Sequence, residues 1–292
     1  MTTKTRVTKI GLIPHLKKRE AVRSAREILD WLGERGVKGL LDPRSAEALG
    51  LPELSFGEGG DLKKKMDVAV VLGGDGALLY AARMLSPSGL PVLGVNVGHL
   101  GFLTEIELTE VYDSLERVIN GDYEVEERMM VAATIRRHAK DVEKFTGLND
   151  IVVTKGAFSR MIRLETYIDD HHIGTYPADG VIVASPTGST AYSLSAGGPI
   201  VNPRMDTLII TFICPHTLFA RAFVISGSET VRVVVHSSHD DVMVTVDGQL
   251  GYRLGDGDEV TIKKAGHKTR LVKLTSRSFY EVLKTKLSEG NI

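Results

Sequence analysis

The segment from Asp67 to Arg83 constrains the fold more than any other part of the chain. Val68 to Leu72 is a short β-branched and apolar run, the pattern of a buried strand. Gly73, Gly74 and Gly76 then interrupt the chain, and Ala77 to Leu85 continues with strong helix formers. A strand, a glycine loop and a helix in this order place the loop at the carboxyl end of a sheet, where open α/β folds bind ligands. The glycines let backbone approach a ligand closely, and the N–H groups opening the helix favour an anion. Asp75 is the odd residue, because a loop built only to cradle phosphate has no use for a carboxylate at its centre. It fits as a helix cap, as a ligand for a metal that neutralises phosphate, or as a group facing a hydroxyl about to be phosphorylated. No Lys-Ser/Thr follows the loop and its spacing is not G-x-G-x-x-G, which excludes the two common phosphate-loop signatures.

Around this unit the first 120 or so residues alternate strand and helix. Arg6 to Ile13, Val37 to Leu41 and Pro91 to Val95 read as strands. Lys17 to Gly33 is amphipathic, with Ala21, Ala25, Ile28, Leu29 and Leu32 at helical spacing; Ser45 could cap a short helix to Leu49, and Val111, Leu115, Val118 and Ile119 mark another. This alternation predicts a mostly parallel, doubly wound, Rossmann-like sheet. After Gly121 helical periodicity fades. Runs at 131–135, 148–154, 161–168, 180–184, 208–213, 231–235, 242–246 and 259–262 read as strands, and Asp247-Gly248 and Asp256-Gly257 as turns. The sequence therefore predicts an α/β domain over 1–123 and a mainly antiparallel β domain over 124–292, ending in a helical tail from Ser278 to Leu287 with Phe279, Val282, Leu283 and Leu287 on one face.

Composition excludes several function classes. With 42% hydrophobic and 25% charged residues over 292 positions, the chain is an ordinary globular one. A net charge of −1 leaves no footprint for nucleic acid, and Lys63-Lys64-Lys65 reads as a solvated helix end. The one cysteine, Cys214, excludes an internal disulfide and fits a reducing compartment. No run approaches the roughly 18 apolar residues of a membrane span, and no signal-peptide core is present, so the expectation is a cytoplasmic protein without membrane or nucleic-acid partners.

Further candidates lie downstream. Gly94 to Glu105 is a second glycine loop after a strand, with Asn96 and His99 as its polar members, expected on the same sheet edge as Asp75. Tyr176 to Pro199 feeds a strand into a dense run of small and hydroxyl residues. Thr187, Ser189, Thr190, Ser193 and Ser195 supply neutral donors and acceptors, Tyr192 a ring, and nothing from Ser185 to Pro199 is charged. That composition suits a sugar or base better than a bare polyphosphate, or else a polar surface connection. Asn149-Asp150 interrupts an apolar run and must be satisfied or functional. Asp169-Asp170-His171-His172 reads as a solvated hairpin turn, since no second cluster has metal-ligand spacing. His216 reads as a packed loop histidine, and no nucleophile elbow occurs.

In order, Gly73–Gly76, Gly94–Thr104, Asn149–Asp150, Asp179–Pro199, Cys214–Leu218 and Asp247–Gln249 resemble the motifs of the bacterial NAD kinase family. Gly-Gly-Asp-Gly alone is shared with phosphofructokinases and diacylglycerol-type lipid kinases; the long Thr-Gly-Ser-Thr-Ala-Tyr segment is specific. The resemblance implies transfer of a phosphoryl group from ATP, or in some members from polyphosphate, to the 2′-hydroxyl of the adenosine ribose of NAD. It also implies a divalent metal such as Mg²⁺ on the donor phosphates rather than in a protein cage, a C-terminal tail packing back on the first domain, and a homodimer or homotetramer. By the same matching Asp75 faces the acceptor hydroxyl and Gly73, Gly74 and Gly76 line the donor phosphates. Gly76, Asn149, Asp150, Asp179, Thr187, Thr190, Ala191, Tyr192, Ser193, Leu194, Ser195 and Gln249 contact NAD. Tyr80, Pro177 and Ala222 depart from the common pattern; the first two remove positive charge that could meet a diphosphate, and Arg160 is a candidate to supply it. A lipid kinase of the same superfamily and a catalytically silent NAD-binding sensor are the alternative readings.

Overall fold

The computed structural model describes residues 6–57, 59–98, 101–156, 159–217, 220–238 and 241–288, without the side chain of Leu287. His99, Leu100, Leu218 and the Leu287 side chain, all named above, lie outside the described residues. The chain forms two compact units, Met1–Glu127 with Thr269–Ile292, and Arg128–Lys268.

The first unit alternates β1 (Lys9–Pro14), α1 (Arg19–Glu34), β2 (Lys38–Leu41), α2 (Pro43–Leu49), β3 (Val68–Gly73), α3 (Asp75–Leu85), β4 (Pro91–Asn96), β5 (Ile106–Glu107) and α4 (Val111–Ile119). Its strands run parallel in the order β2-β1-β3-β4, with Ile10 beside Val68 and Gly73 beside Asn96, and β5 adds to β4. Every residue of β3 and β4 is buried, as in parallel strands covered by helices on both faces. Ala21, Ala25, Ile28 and Leu32 of α1 and Val111, Leu115 and Val118 of α4 pack with Leu12, Val70 and Val95 in one core. Asp42, not Ser45, caps α2: its carboxylate accepts the Ser45 N–H at 3.3 Å, and Pro43 takes the first helical position, where a missing N–H costs nothing.

The second unit is β-rich, as the loss of helical periodicity predicts. It holds β6 (Glu124–Arg137), which carries the chain over from the first unit, β7 (Lys140–Gly147), β8 (Asp150–Lys155), β9 (Ile162–Ile168), β10 (His171–Ala178), β11 (Gly180–Ala184), α5 (Tyr192–Ser195), β12 (Thr207–Ile213), β13 (Phe223–Ser226), β14 (Val231–His236), β15 (Val242–Val246), β16 (Leu250–Leu254) and the start of β17 (Glu259–Lys273). One antiparallel sheet has the order β13-β12-β11-β8-β15-β16; the other runs β10-β9-β14-β17, with β6 pairing β17 and β7. Alternate residues such as Val131, Val153, Leu164, Val233 and Val244 form the shared core. β11 is buried along its whole length because Val201 and its neighbours cover its second face. Asp169 and Asp170 make the hairpin turn predicted for their tetrapeptide, Asp169 at φ 48°, while His171 and His172 already belong to β10.

From Thr269 the chain belongs to the first unit again, with Arg270 and Leu271 parallel to Pro91 and Val92. The buried Glu105 fixes this return. It accepts the N–H groups of Leu274 at 2.9 Å and Thr275 at 2.8 Å, accepts the Thr275 hydroxyl at 2.7 Å, and pairs with Lys273. A reciprocal Ser278–Glu281 capping box then starts α6 (Phe279–Ser288), which turns Phe279, Val282 and Leu283 partly inward and buries Lys286. Among the described residues no helix is long and apolar enough to cross a membrane.

Candidate active site

In the first unit the two glycine loops leave neighbouring parallel strands, β3 and β4, at their carboxyl ends, and the Val97 N–H bonds back to the Gly73 carbonyl at 2.7 Å. Gly74 caps α3 and Asp75 is its first helical residue, so the capping role is not what the Asp75 side chain does. Its carboxylate accepts the N–H of Phe102 at 2.8 Å and of Leu103 at 3.1 Å, both from the second glycine loop. The approach is so close that a Cβ on Gly101 would lie 1.9 Å from the Asp75 carboxylate. Burial raises the Asp75 pKa; the N–H groups of Phe102, Leu103 and Thr104 and the charge of Lys286 on α6 pull it back only in part. Asn96 is buried at the end of β4 and folds its loop by donating to the Gly98 carbonyl at 2.8 Å. The ring of Tyr80, where positive charge was expected, lies beneath the Arg44 guanidinium at 5.2 Å, so α2 restores a cation there.

In the second unit Asn149-Asp150 opens β8 beside the hydroxyl-rich segment. Asp150 is 4% exposed and its carboxyl is pushed up to about 7, chiefly by burial and then by the charge of Asp247. Ser185 accepts the Gly188 N–H and donates to the Leu148 carbonyl at 2.6 Å; a Cβ on Gly188 would meet the Asn149 carbonyl at 2.1 Å. The segment Thr187–Thr190 is a buried 3-10 turn rather than a surface connection. Its hydroxyls are tied inward: Ser189 to Pro186 and Val201, Thr190 to the Thr187 carbonyl, and Ser193 to Thr211 at 3.1 Å. Hydroxyls satisfy themselves on nearby backbone, which is how a polar run becomes core. Ala191 and Leu194 are half-buried, Tyr192 and Ser195 exposed. Asp179 is half-buried with Lys155 Nζ 3.6 Å away, and Gln249 and Arg160 are exposed. Pro177 takes the His216 N–H on its carbonyl at 2.8 Å.

Thus the structure brings Asp75 together with 101–104, and Asn149 and Asp150 together with Ser185, Gly188 and Asp247. No sequence signal singles out Gly101, Ser185, Gly188 or Lys286, and Asp247 reads there as a turn residue within the Asp247–Gln249 motif. The turn signal of Asp247-Gly248 is visible; the backbone N–H groups that its carboxylate accepts, 97 to 99 residues upstream, are not.

A parallel sheet with a carboxylate-bearing glycine loop, continued into a β unit with a hydroxyl-rich turn, defines a nucleotide-binding protein of two units. The ATP-NAD kinase N-terminal domain matches residues 10–123 and the ATP-NAD kinase C-terminal domain residues 148–274. The NAD kinase of Moorella thermoacetica is 51% identical over 282 residues, 97% of this chain and 90% of that protein. That of Caldanaerobacter subterraneus is 44% identical over 281 residues, 96% of this chain and 99% of the relative. Among solved structures, an NAD kinase from Archaeoglobus fulgidus in complex with ATP superposes with a TM-score of 0.73 at 25% identity, over 96% of this chain and 98% of the other. The fold is also that of yeast NADH kinase complexed with NADH, with a TM-score of 0.88 at 24% identity over 99% of this chain and 89% of that one. The chain belongs to the NAD kinase family.

Proposed function

We propose that this chain transfers the γ-phosphoryl group of ATP to the 2′-hydroxyl of the adenosine ribose of NAD, giving NADP and ADP. Asp75 carries the reading: a carboxylate on a glycine loop at a helix start, made more basic by burial. The hydroxyl oxygen forms the new bond to the γ-phosphorus, the bond to the bridging oxygen of ADP breaks, and the hydroxyl proton passes to Asp75. A ribose hydroxyl is far too weak an acid to be ionised beforehand, but in a loose transition state the proton leaves late, so orientation and a waiting acceptor suffice. Gly73, Gly74 and Gly76 are put forward as the donor-phosphate loop at the start of α3, where backbone N–H groups favour an anion; a Cβ on Gly74 would meet nothing within 4 Å. A divalent metal such as Mg²⁺ on those phosphates would neutralise developing charge. We place the metal on the donor phosphates, as the family resemblance implies, rather than in a protein cage.

For NAD, the residues put forward are Asp75, Gly76, Asn149, Asp150, Arg160, Asp179, Thr187, Thr190, Ala191, Tyr192, Ser193, Leu194, Ser195 and Gln249. With their hydroxyls turned inward, Thr190 and Ser193 contribute backbone and shape, whereas Tyr192, Ser195 and Gln249 offer exposed side chains. We further place the protein in the cytoplasm as a homodimer or homotetramer.

The test is NADP formation from NAD, Mg²⁺ and ATP, with polyphosphate as a second donor arm. Asp75→Asn should lower turnover by about 10²- to 10⁴-fold with little loss of folding, read as a retained cooperative melting transition. Near-normal turnover in that variant removes Asp75 from the role, and NAD binding without NADP in the wild type identifies a sensor instead.

A further inference from the structure

Asp247 sits at φ 50° in the turn between β15 and β16, followed by Gly248 at φ 63°, with the Gln249 N–H closing the turn on Val246. An aspartate tolerates this left-handed backbone best when its side chain bonds nearby main chain. Here the carboxylate reaches across to β8 instead. It accepts the N–H of Leu148 at 3.1 Å on one oxygen, and those of Asn149 at 2.8 Å and Asp150 at 3.2 Å on the other, while the Asp247 N–H donates to the Asp150 carbonyl at 3.1 Å. From the other side Ser185 takes the remaining carbonyls: its hydroxyl bonds Leu148 and its N–H bonds Asn149 at 2.8 Å. Both backbone groups of Leu148, Asn149 and Asp150 are therefore engaged. Gly147 must lack a side chain, since a Cβ there would lie 2.8 Å from the Asp247 carboxylate.

We propose that Asp247 is a positioning residue for the acceptor nucleotide: by gripping three consecutive backbone N–H groups it sets the side chains of Asn149 and Asp150, and ties them to the turn that carries Gln249. This rests on the NAD-binding reading given above. Ordinary strand pairing would leave the chain before β8 free to shift. Three bonds to the carboxylate, with the Asp247 N–H to the Asp150 carbonyl as a fourth, fix it, because hydrogen bonds to an ionised group are the strong ones. Asp247 itself is only 8% exposed and acts through its neighbours.

The experiment measures NAD affinity by calorimetry and, separately, KM for NAD and ATP, in the wild type, Asp247→Asn and Asp247→Ala, with a melting curve for each. In Asp247→Ala NAD binding should weaken by up to about 100-fold, as displacement of positioned groups by an ångström can. ATP affinity should change by less than about twofold. Asp247→Asn keeps one acceptor oxygen for Asn149 and Asp150 and should recover part of the loss. If Asp247→Ala does not fold, the asparagine variant carries the test through the same NAD-against-ATP contrast. Unchanged NAD affinity in a folded variant overturns the proposal, as does equal weakening of NAD and ATP binding. Failure of the function itself looks different: the wild type then binds NAD without making NADP, or binds no NAD at all.

Discussion

Asp150→Asn tests the electrostatics of the second unit in a way that needs no substrate. Asp150 is 4% exposed, and its carboxyl titrates at about 7 against an ordinary 3.8. At 1.36 kcal/mol per tenfold change in proton affinity, that difference is worth about 4 kcal/mol. Between these two pH values the unfolded chain has released the Asp150 proton and the folded chain still holds it. Stability therefore falls as pH rises through this window, and the loss is complete above about pH 7. Asparagine has nearly the same shape and no titrating proton. The variant should match the wild type near pH 4 and gain steadily to a plateau above pH 7 of up to about 4 kcal/mol. For a unit of this size each kcal/mol moves the melting temperature by roughly 2–4 °C, so the plateau should lie roughly 8–16 °C above the wild type. The assay is a series of melting curves from about pH 4.5 to 8.5 on both proteins. A gain independent of pH, or none at pH 8, would refute burial of the charged carboxylate as the cause.

Two further outcomes follow from the first unit. Gly101→Ala puts a methyl group 1.9 Å from the Asp75 carboxylate, so either the carboxylate or the 101–104 loop must move; NADP formation should fall by about 10-fold or more under the cost of misplacing a reacting group, and a fully active variant would show that this contact does not matter. Lys286→Gln removes a charge that lowers the Asp75 pKa, so the acidic limb of the turnover profile should move to higher pH, whereas an unmoved limb would separate Lys286 from Asp75.

Local pattern alone determined much of this protein. A β-branched run, three glycines and a helix-forming stretch put Asp75 in a loop between β3 and a helix read from Ala77, since buried parallel strands and helices each leave a periodicity in their own segment; in the fold the helix starts two residues earlier, at Asp75 itself. Turn chemistry likewise marks Asp169-Asp170 and Asp247-Gly248, where positive φ limits the choice of residue. Charge and exposure hid other elements: β7, with Lys140, Asp141, Glu143 and Lys144, has no buried stripe to read. The division between the units falls at Glu127 inside β6, where no turn residue marks it. Tertiary structure decided which polar groups are committed and which remain for chemistry. Ser189 and Ser193 look like ligand donors in sequence yet are buried and bonded within the fold, while Asp247 looks like a turn and holds the backbone of residues far upstream. The physical reason is one of range. Propensity and periodicity act over a few residues, but the desolvation and hydrogen-bond partners that set a carboxylate's role come from segments that meet only when the chain has folded.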